Sequence, residues 1–166
     1  MSWIKEITKE ENKLLKQIYE GAEKRTNEPT ANVLRVHSIR PKVLEIHMRL
    51  YEEIMFKEGP LTRTQREMIG VIVSNANECP YCVDHHGNAL MHVSENKELM
   101  EKVIDDYHRA GLSKMDEAIC QYAEKLTKDP YKMVEDDIIK LRDLGLSDES
   151  IFDVNQIVAY LIMLTG

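Results

Sequence analysis

A chain of 166 residues with 43% hydrophobic residues, 31% charged residues and 7 glycines has the composition of a globular protein, which excludes fibrous and disordered classes. Its net charge of −7, without a cluster of lysines and arginines, argues against a nucleic-acid or membrane partner. We find no secretory signal and no apolar segment long enough to span a bilayer, so we expect a cytoplasmic protein whose three cysteines are not a structural disulfide framework.

Apolar residues recur at helical spacing along the chain, with helix-starting and helix-ending residues between the segments. Strand-like alternation of β-branched and polar residues is missing, and no long linker interrupts the pattern. We therefore predict an all-α protein, a compact helical bundle that forms a single domain over residues 1–166. In chain order, the predicted helices are 10–24, one opened by Pro41 and ended by Gly59 and Pro60, 63–78, one opened by Pro80, one after Ser94 that Gly111 closes, one opened by Ser113 and Asp116 whose end Pro130 follows, 133–144 and 148–164.

The segment 63–78 has little polar face, which predicts a helix in the centre of the protein. Thr64 and Glu67 are three residues apart at its start and fit a capping box. In such a box Glu67 would need no catalytic role. The apolar residues that give the segment its character are Met68, Ile69, Val71, Ile72 and Val73.

The motif NECPYCVDHHGNAL, residues 77–90, contains two cysteines three positions apart. Pro80 suits the first position of a helix, which would make Cys79 the N-cap and place both thiols at the positive end of the helix dipole. Helix N-termini and CxxC motifs lower the pKa of a thiol and favour the reactive thiolate. The pair is therefore a candidate nucleophile.

Two arguments differ on which sulfur attacks. Cys79 would gain most from the helix dipole, whereas only Cys82 has a histidine, His86, one helical turn ahead. We favour Cys82, because an imidazole beside it can accept the thiol proton and return it to a leaving oxygen. Cys79 could then resolve the oxidised sulfur as a disulfide. If the helices pack together, Glu67 could reach His86 and orient the ring.

Other uses of the motif stay open at this point. A zinc site would need further ligands brought by the fold from Cys120, His85, His86 or Glu67, because no second CxxC or HxxxH pair is present. Haem attachment would need a histidine directly after the second cysteine, where Val83 stands. The cysteines could also be inert buried thiols.

For the remaining histidines and the third cysteine we predict burial or solvent exposure without a catalytic role. His47 lies on an apolar helix face and is expected to be a core or pocket-edge residue. His85 and His92 are expected on a solvated face. Cys120 is expected to be an inert, partly buried thiol.

The sequence RTQREMIGVIVSNANECPYCVDHHGNAL resembles the alkylhydroperoxidase D-like group of the carboxymuconolactone decarboxylase superfamily. It has that group's spacing of Glu67, eleven residues, Cys79, two residues, Cys82, three residues and His86. The resemblance to the peroxidase-related branch covers most of the chain, through NVLRVHSIRPKVLEIHMRLYEEIM upstream, NQIVAYL downstream, and Ser74, Asn77 and Tyr81.

The resemblance implies an all-helical fold, homo-oligomers and thiol-based reduction of hydroperoxides without haem or metal. Cys82 would be the peroxidatic thiol, Cys79 the resolving thiol, and Glu67 with His86 a proton relay. The Cys79–Cys82 disulfide would be redox-active, and no other cofactor is implied. The best-known members have a histidine before the second cysteine, where this chain has Tyr81, which removes a second base.

The sequence thus predicts a peroxidase that reduces small organic hydroperoxides or hydrogen peroxide and is regenerated by an external dithiol. A lipoyl-bearing or thioredoxin-like protein is the candidate reductant. Two other classes stay open. One is a redox-sensing or zinc-binding structural protein, and the other is a cofactorless decarboxylase-like enzyme in which His86 and Glu67 act without the cysteines.

Overall fold

The computed structural model describes residues 3–26 and 29–165. Within these ranges every regular element is a helix and no strand is present, which confirms the all-α prediction. In the same ranges, no helix is long and apolar enough to cross a bilayer. The α-helices are α1 (Lys13–Thr26), α2 (Asn32–Val36), α3 (Pro41–Phe56), α4 (Arg63–Ala76), α5 (Pro80–Ser94), α6 (Lys97–Asp106), α7 (Lys114–Lys128), α8 (Glu135–Asp143) and α9 (Asp148–Thr165).

The chain forms two compact units, one up to Glu53 and one from Ile54 onward. In the first unit, α1, α2 and most of α3 surround a small apolar core. The prediction of a single domain over residues 1–166 concerns how the two units combine, and it stays a prediction. The buried residues of the first core are Leu15, Tyr19, Ala22, Leu34, Leu44 and Met48.

Helix α4 is the centre of the second unit and packs against α5, α6, α7 and α9. The predicted central position of this helix is confirmed, because its apolar side chains are buried on all sides. Full burial of each such side chain contributes roughly 1.5–3 kcal/mol relative to exposure. Its buried apolar side chains are Met68, Ile69, Val71, Ile72 and Val73.

Most predicted helix starts are confirmed. Pro80 opens α5, and Ser113 caps α7 by accepting a hydrogen bond from the backbone N–H of Asp116 at 3.1 Å. Helix α2 was missed, because the connector predicted around Pro29 and Asn32 contains it; Asn27, also assigned to that connector, lies outside the described residues. The helix has five residues and no side-chain cap, so the sequence pattern does not mark it.

The predicted capping box of α4 is wrong by two residues. Thr62, not Thr64, is the N-cap, and its hydroxyl accepts a hydrogen bond from the backbone N–H of Gln65 at 3.2 Å. The Gln65 side chain returns the bond by accepting from the backbone N–H of Thr62 at 2.9 Å. Both pairs fit the sequence pattern of a capping box, and the structure uses the earlier one. Glu67 is therefore free of the cap and faces the protein interior.

The corrected cap can be tested with two threonine substitutions. We expect Thr62→Ala to lower the free energy of unfolding by about 1 kcal/mol, because it removes the N-cap acceptor. Thr64→Ala should change it by less than about 0.5 kcal/mol, because Thr64 is not the cap. Urea denaturation of both variants provides the comparison. A larger loss in Thr64→Ala than in Thr62→Ala would contradict the assignment.

Candidate functional site

The turn between α4 and α5 reverses the chain within three residues. Glu78 has a positive φ of 52°. Its backbone N–H donates to the Asn75 carbonyl at 3.0 Å, and the N–H of Cys79 donates to the Ser74 carbonyl at 3.0 Å. These two bonds form the Schellman pattern that ends a helix, with glutamate at the position where glycine is usual. The turn fixes Cys79 at the start of α5 and brings α5 back against α4.

The two cysteines lie at the positive end of α5, as predicted. Cys79 is the N-cap, Pro80 occupies the first helical turn, and the backbone N–H of Cys82 donates to the Cys79 carbonyl at 3.0 Å. The sulfurs of Cys79 and Cys82 are joined in a disulfide, with their Cα atoms 5.3 Å apart. Both residues are half-buried. The structure therefore describes the oxidised state of the pair.

Glu67 and His86 meet between α4 and α5. The Oε2 atom of Glu67 lies 2.8 Å from Nδ1 of His86, and the two residues are only 1% and 5% exposed. An ionised carboxylate has no hydrogen to donate, so Nδ1–H of His86 is the donor. In the neutral ring the lone pair then lies on Nε2, where it can accept a proton. The prediction that Glu67 reaches His86 is confirmed.

The other oxygen of Glu67 is held by Arg63, one helical turn earlier. Nε of Arg63 donates to Oε1 at 2.9 Å, and Nη2 contacts the same oxygen. The Arg63 guanidinium also lies 3.9 Å from the centroid of the Phe56 ring. Arg63 was missed in the sequence, although its spacing of four residues from Glu67 is the usual signal for a helical ion pair.

The pKa of Glu67 results from opposing effects. Burial alone would raise the pKa, because it disfavours the charged carboxylate. The hydrogen bond from His86 and the charges of His86 and Arg63 act in the other direction and outweigh burial, so the pKa lies below the ordinary value for glutamate. Glu67 is therefore ionised at neutral pH and can orient the His86 ring.

Gly70 makes room for that ring. A Cβ atom at Gly70 would lie 2.5 Å from Nδ1 and 2.6 Å from Cγ of His86, closer than real contacts allow. Glycine inside a helix costs roughly 1 kcal/mol relative to alanine, so its presence in α4 serves the approach of His86. Gly70 was also missed, although it is the one glycine of α4 and lies within the apolar run from Met68 to Val73.

The three remaining predicted histidines have the surroundings that were expected, whereas Cys120 is buried more deeply than predicted. His47 is buried in the first unit, where burial and the nearby His37 lower its pKa to about 4. Cys120 is fully buried, and burial followed by the charges of nearby acidic residues raises its pKa to about 12. His85 and His92 are exposed. Among the described residues, no three His, Cys, Asp or Glu side chains are grouped so that they could hold a metal ion.

The four predicted site residues thus form two directly connected pairs. Cys79 is bonded to Cys82, and Glu67 is hydrogen-bonded to His86. Cys82 and His86 are one turn apart on α5, so both pairs belong to one end of this helix. This arrangement places the disulfide about one helical turn from a buried carboxylate–imidazole pair.

Residues 41–119 match the Carboxymuconolactone decarboxylase family, and this range contains all four predicted site residues. Among the curated proteins, none matches this sequence.

Several solved structures share the fold. A peroxidase-related protein from Silicibacter sp. TM1040 is 27% identical with a TM-score of 0.84, over 92% of this chain and 79% of that one. A peroxidase-related protein from Ralstonia eutropha JMP134, described as an alkylhydroperoxidase AhpD core, is 28% identical with a TM-score of 0.83, over 92% and 80%. The debrominase Bmp8, in a complex with 2,3,4-tribromopyrrole, is 14% identical with a TM-score of 0.83, over 99% and 87%, and shows the fold alone.

The role of Gly70 can be tested against a second helical glycine. Gly70→Ala should lower the free energy of unfolding by about 1–3 kcal/mol, because the added methyl group displaces the His86 ring. Gly21→Ala is the matched control, since nothing lies within 4 Å of a Cβ at Gly21. It should leave stability unchanged or raise it by about 0.5–1 kcal/mol. Equal effects in the two variants, measured by chemical denaturation, would contradict the assigned role.

Proposed function

We propose that this chain, which belongs to the alkylhydroperoxidase D-like group of the carboxymuconolactone decarboxylase superfamily, is a thiol-dependent peroxidase. Its substrates would be small organic hydroperoxides or hydrogen peroxide. The observation that carries the proposal is the buried contact between Glu67 and His86, one helical turn after Cys82. The two bacterial relatives named as peroxidase-related proteins support the same class of reaction.

In the proposed reaction Cys82 first loses its proton, because the thiolate and not the thiol is the nucleophile. The Glu67 carboxylate accepts the hydrogen bond from Nδ1–H of His86, which leaves Nε2 to take the thiol proton. The position of Cys82 in the first turn of α5 favours the thiolate as well, because the helix N-terminus is positive. Glu67 would act through His86 as a positioning residue.

The Cys82 thiolate then attacks one oxygen of the hydroperoxide. A sulfur–oxygen bond forms, the O–O bond breaks, and two electrons pass from sulfur to the peroxide. The leaving alkoxide takes the proton held on His86 and departs as an alcohol, or as water when the substrate is hydrogen peroxide. Cys82 is left as a sulfenic acid.

Cys79 resolves the sulfenic acid. Its sulfur attacks the Cys82 sulfur, so that an S–S bond forms, the S–O bond breaks, and hydroxide leaves as water with the Cys79 proton. The Cα separation of 5.3 Å lies within the range that disulfides bridge. An external dithiol, a lipoyl-bearing or thioredoxin-like protein, would return two electrons and two protons by thiol–disulfide exchange.

We further propose that the protein works as a homo-oligomer in the cytoplasm, with the Cys79–Cys82 disulfide as its redox group and no resident metal. A reducing compartment favours regeneration of the dithiol. Large apolar side chains exposed on α3 and α9 support an assembly, because exposed patches of this kind mark interaction surfaces. They are Val43, Ile46, Leu50, Phe152 and Met163.

The reaction can be tested by following consumption of cumene hydroperoxide with dihydrolipoamide as the reductant. We expect wild-type protein to turn over and Cys82→Ser to be inactive, because it lacks the attacking sulfur. Glu67→Gln should fold and react about tenfold or more slowly, with a changed pH profile, because the amide cannot orient His86 as the carboxylate does. Cys120→Ser is the matched control and should keep the wild-type rate, since Cys120 is buried and its pKa is raised.

Intact turnover in Cys82→Ser would contradict the mechanism. A decarboxylase-like enzyme that uses Glu67 and His86 alone would keep its activity when both Cys79 and Cys82 are replaced by serine. A zinc-binding protein would contain stoichiometric metal after purification without a chelator, with both thiols protected from hydroperoxide. These outcomes separate the three functional classes.

A further inference from the structure

Residues at the end of α3 and the start of α4 surround an open space. A cavity of about 480 Å³ opens there, a volume within the range of ligand pockets. Among the residues that line it, Glu58 is the one acidic side chain. The lining combines three cationic side chains with an apolar part, namely Lys57, Arg63 and Arg66 with Met55, Phe56 and Leu61.

Arg66 is the unusual member of this lining. It is only 3% exposed, and its Nη1 donates to the Lys57 carbonyl at 2.6 Å, whereas its Nε atom is buried without a hydrogen-bond partner. A buried charged donor that stays unpaired is costly, because it has lost its water without gaining a protein acceptor. Asp153 on α9 faces the same guanidinium, and burial raises the pKa of Asp153.

Gly59 allows the Arg66 guanidinium to lie close to the backbone between α3 and α4. A Cβ atom at Gly59 would lie 2.7 Å from Nη2 of Arg66 and 3.4 Å from Oδ2 of Asp153. Any larger residue at this position would therefore displace the guanidinium. Gly59 is exposed, and both Gly59 and Arg66 line the cavity.

We propose that this cavity binds a small organic anion with an apolar body. The carboxylate or similar head group would bind the Arg66 guanidinium where it lines the cavity, and the alkyl or aryl part would pack against Phe56 and Leu61. Arg66 is the anchor, because the Arg63 guanidinium already holds Glu67. The protein carries a net charge of −7, so attraction of an anion must come from this local group of cations.

This site is separate from the proposed reaction of Cys82, and it can be tested by binding alone. Isothermal titration calorimetry would compare hexanoate with hexanol and hexylamine, which have the same alkyl chain and differ in head-group charge. We expect hexanoate to bind at least about tenfold more tightly than hexanol, because a charge-assisted pair forms only with the anion. Hexylamine should not bind. Equal affinity for hexanoate and hexanol, or no heat from hexanoate, would overturn the proposal.

Two variants locate the binding to this cavity. Arg66→Gln should weaken hexanoate about tenfold or more. Gly59→Ala keeps all three cations but displaces the Arg66 guanidinium, so it should weaken hexanoate binding about fivefold or more. Arg109→Gln is the control, because Arg109 lies outside the lining and its side chain is 80% exposed. It should bind hexanoate within about twofold of wild type.

Circular dichroism would establish that each variant is folded. If Arg66→Gln does not fold, the result for Gly59→Ala decides the test. Wild-type affinity in a folded Gly59→Ala and a folded Arg66→Gln would overturn the proposal. Because hexanoate contains no O–O bond, loss of peroxidase activity would not affect this result, and the two proposals fail independently.

Discussion

The arrangement of residues between α4 and α5 depends on stabilising one buried carboxylate. Glu67 lies in the central helix α4, where an unpaired charge would cost several kcal/mol. It is stabilised from two sides, because Arg63 holds one oxygen and His86 the other. Each of these two contacts requires a particular residue in α4. Arg63 must stand one turn earlier, and Gly70 must leave space for the imidazole ring.

The ionised state of Glu67 also determines which nitrogen of His86 carries the proton. A carboxylate that stays ionised holds the proton of His86 on Nδ1 and leaves the lone pair of the neutral ring on Nε2. The tight turn at Glu78 separates α4 from α5, so that Cys79 is the N-cap of α5 and Cys82 lies in the first turn of this helix. His86 follows on the same helix. Arg63 contributes to two features of the second unit. Its guanidinium binds Glu67, and it also lines the cavity beside Arg66. The proposed anion site and the proposed proton relay therefore border on the same side chain, although Arg66 is the residue that would hold the anion.

Much of the fold was predictable, because helix starts depend on local signals such as Pro80 and Ser113, and because apolar periodicity marks buried faces. The pairing of Glu67 with His86 followed from the spacing of both residues once α4 and α5 were expected to pack. Other features were not predictable for physical reasons. Thr62 and Thr64 both fit a capping box, and only the burial of Glu67 selects the first. The function of Gly70 depends on a ring sixteen residues away, which a local pattern does not contain.

In the proposed reaction, Cys82 reduces a hydroperoxide, and Cys79 then resolves the sulfenic acid formed on Cys82. The most direct test is the intact mass and free-thiol count of fully reduced protein after one equivalent of cumene hydroperoxide, in wild type and in Cys79→Ser. The account predicts prompt loss of two hydrogens in wild type and addition of one oxygen at Cys82 in the variant. If both proteins kept their mass and all their thiols, or if the oxygen were added at Cys120 instead, the claim would be contradicted.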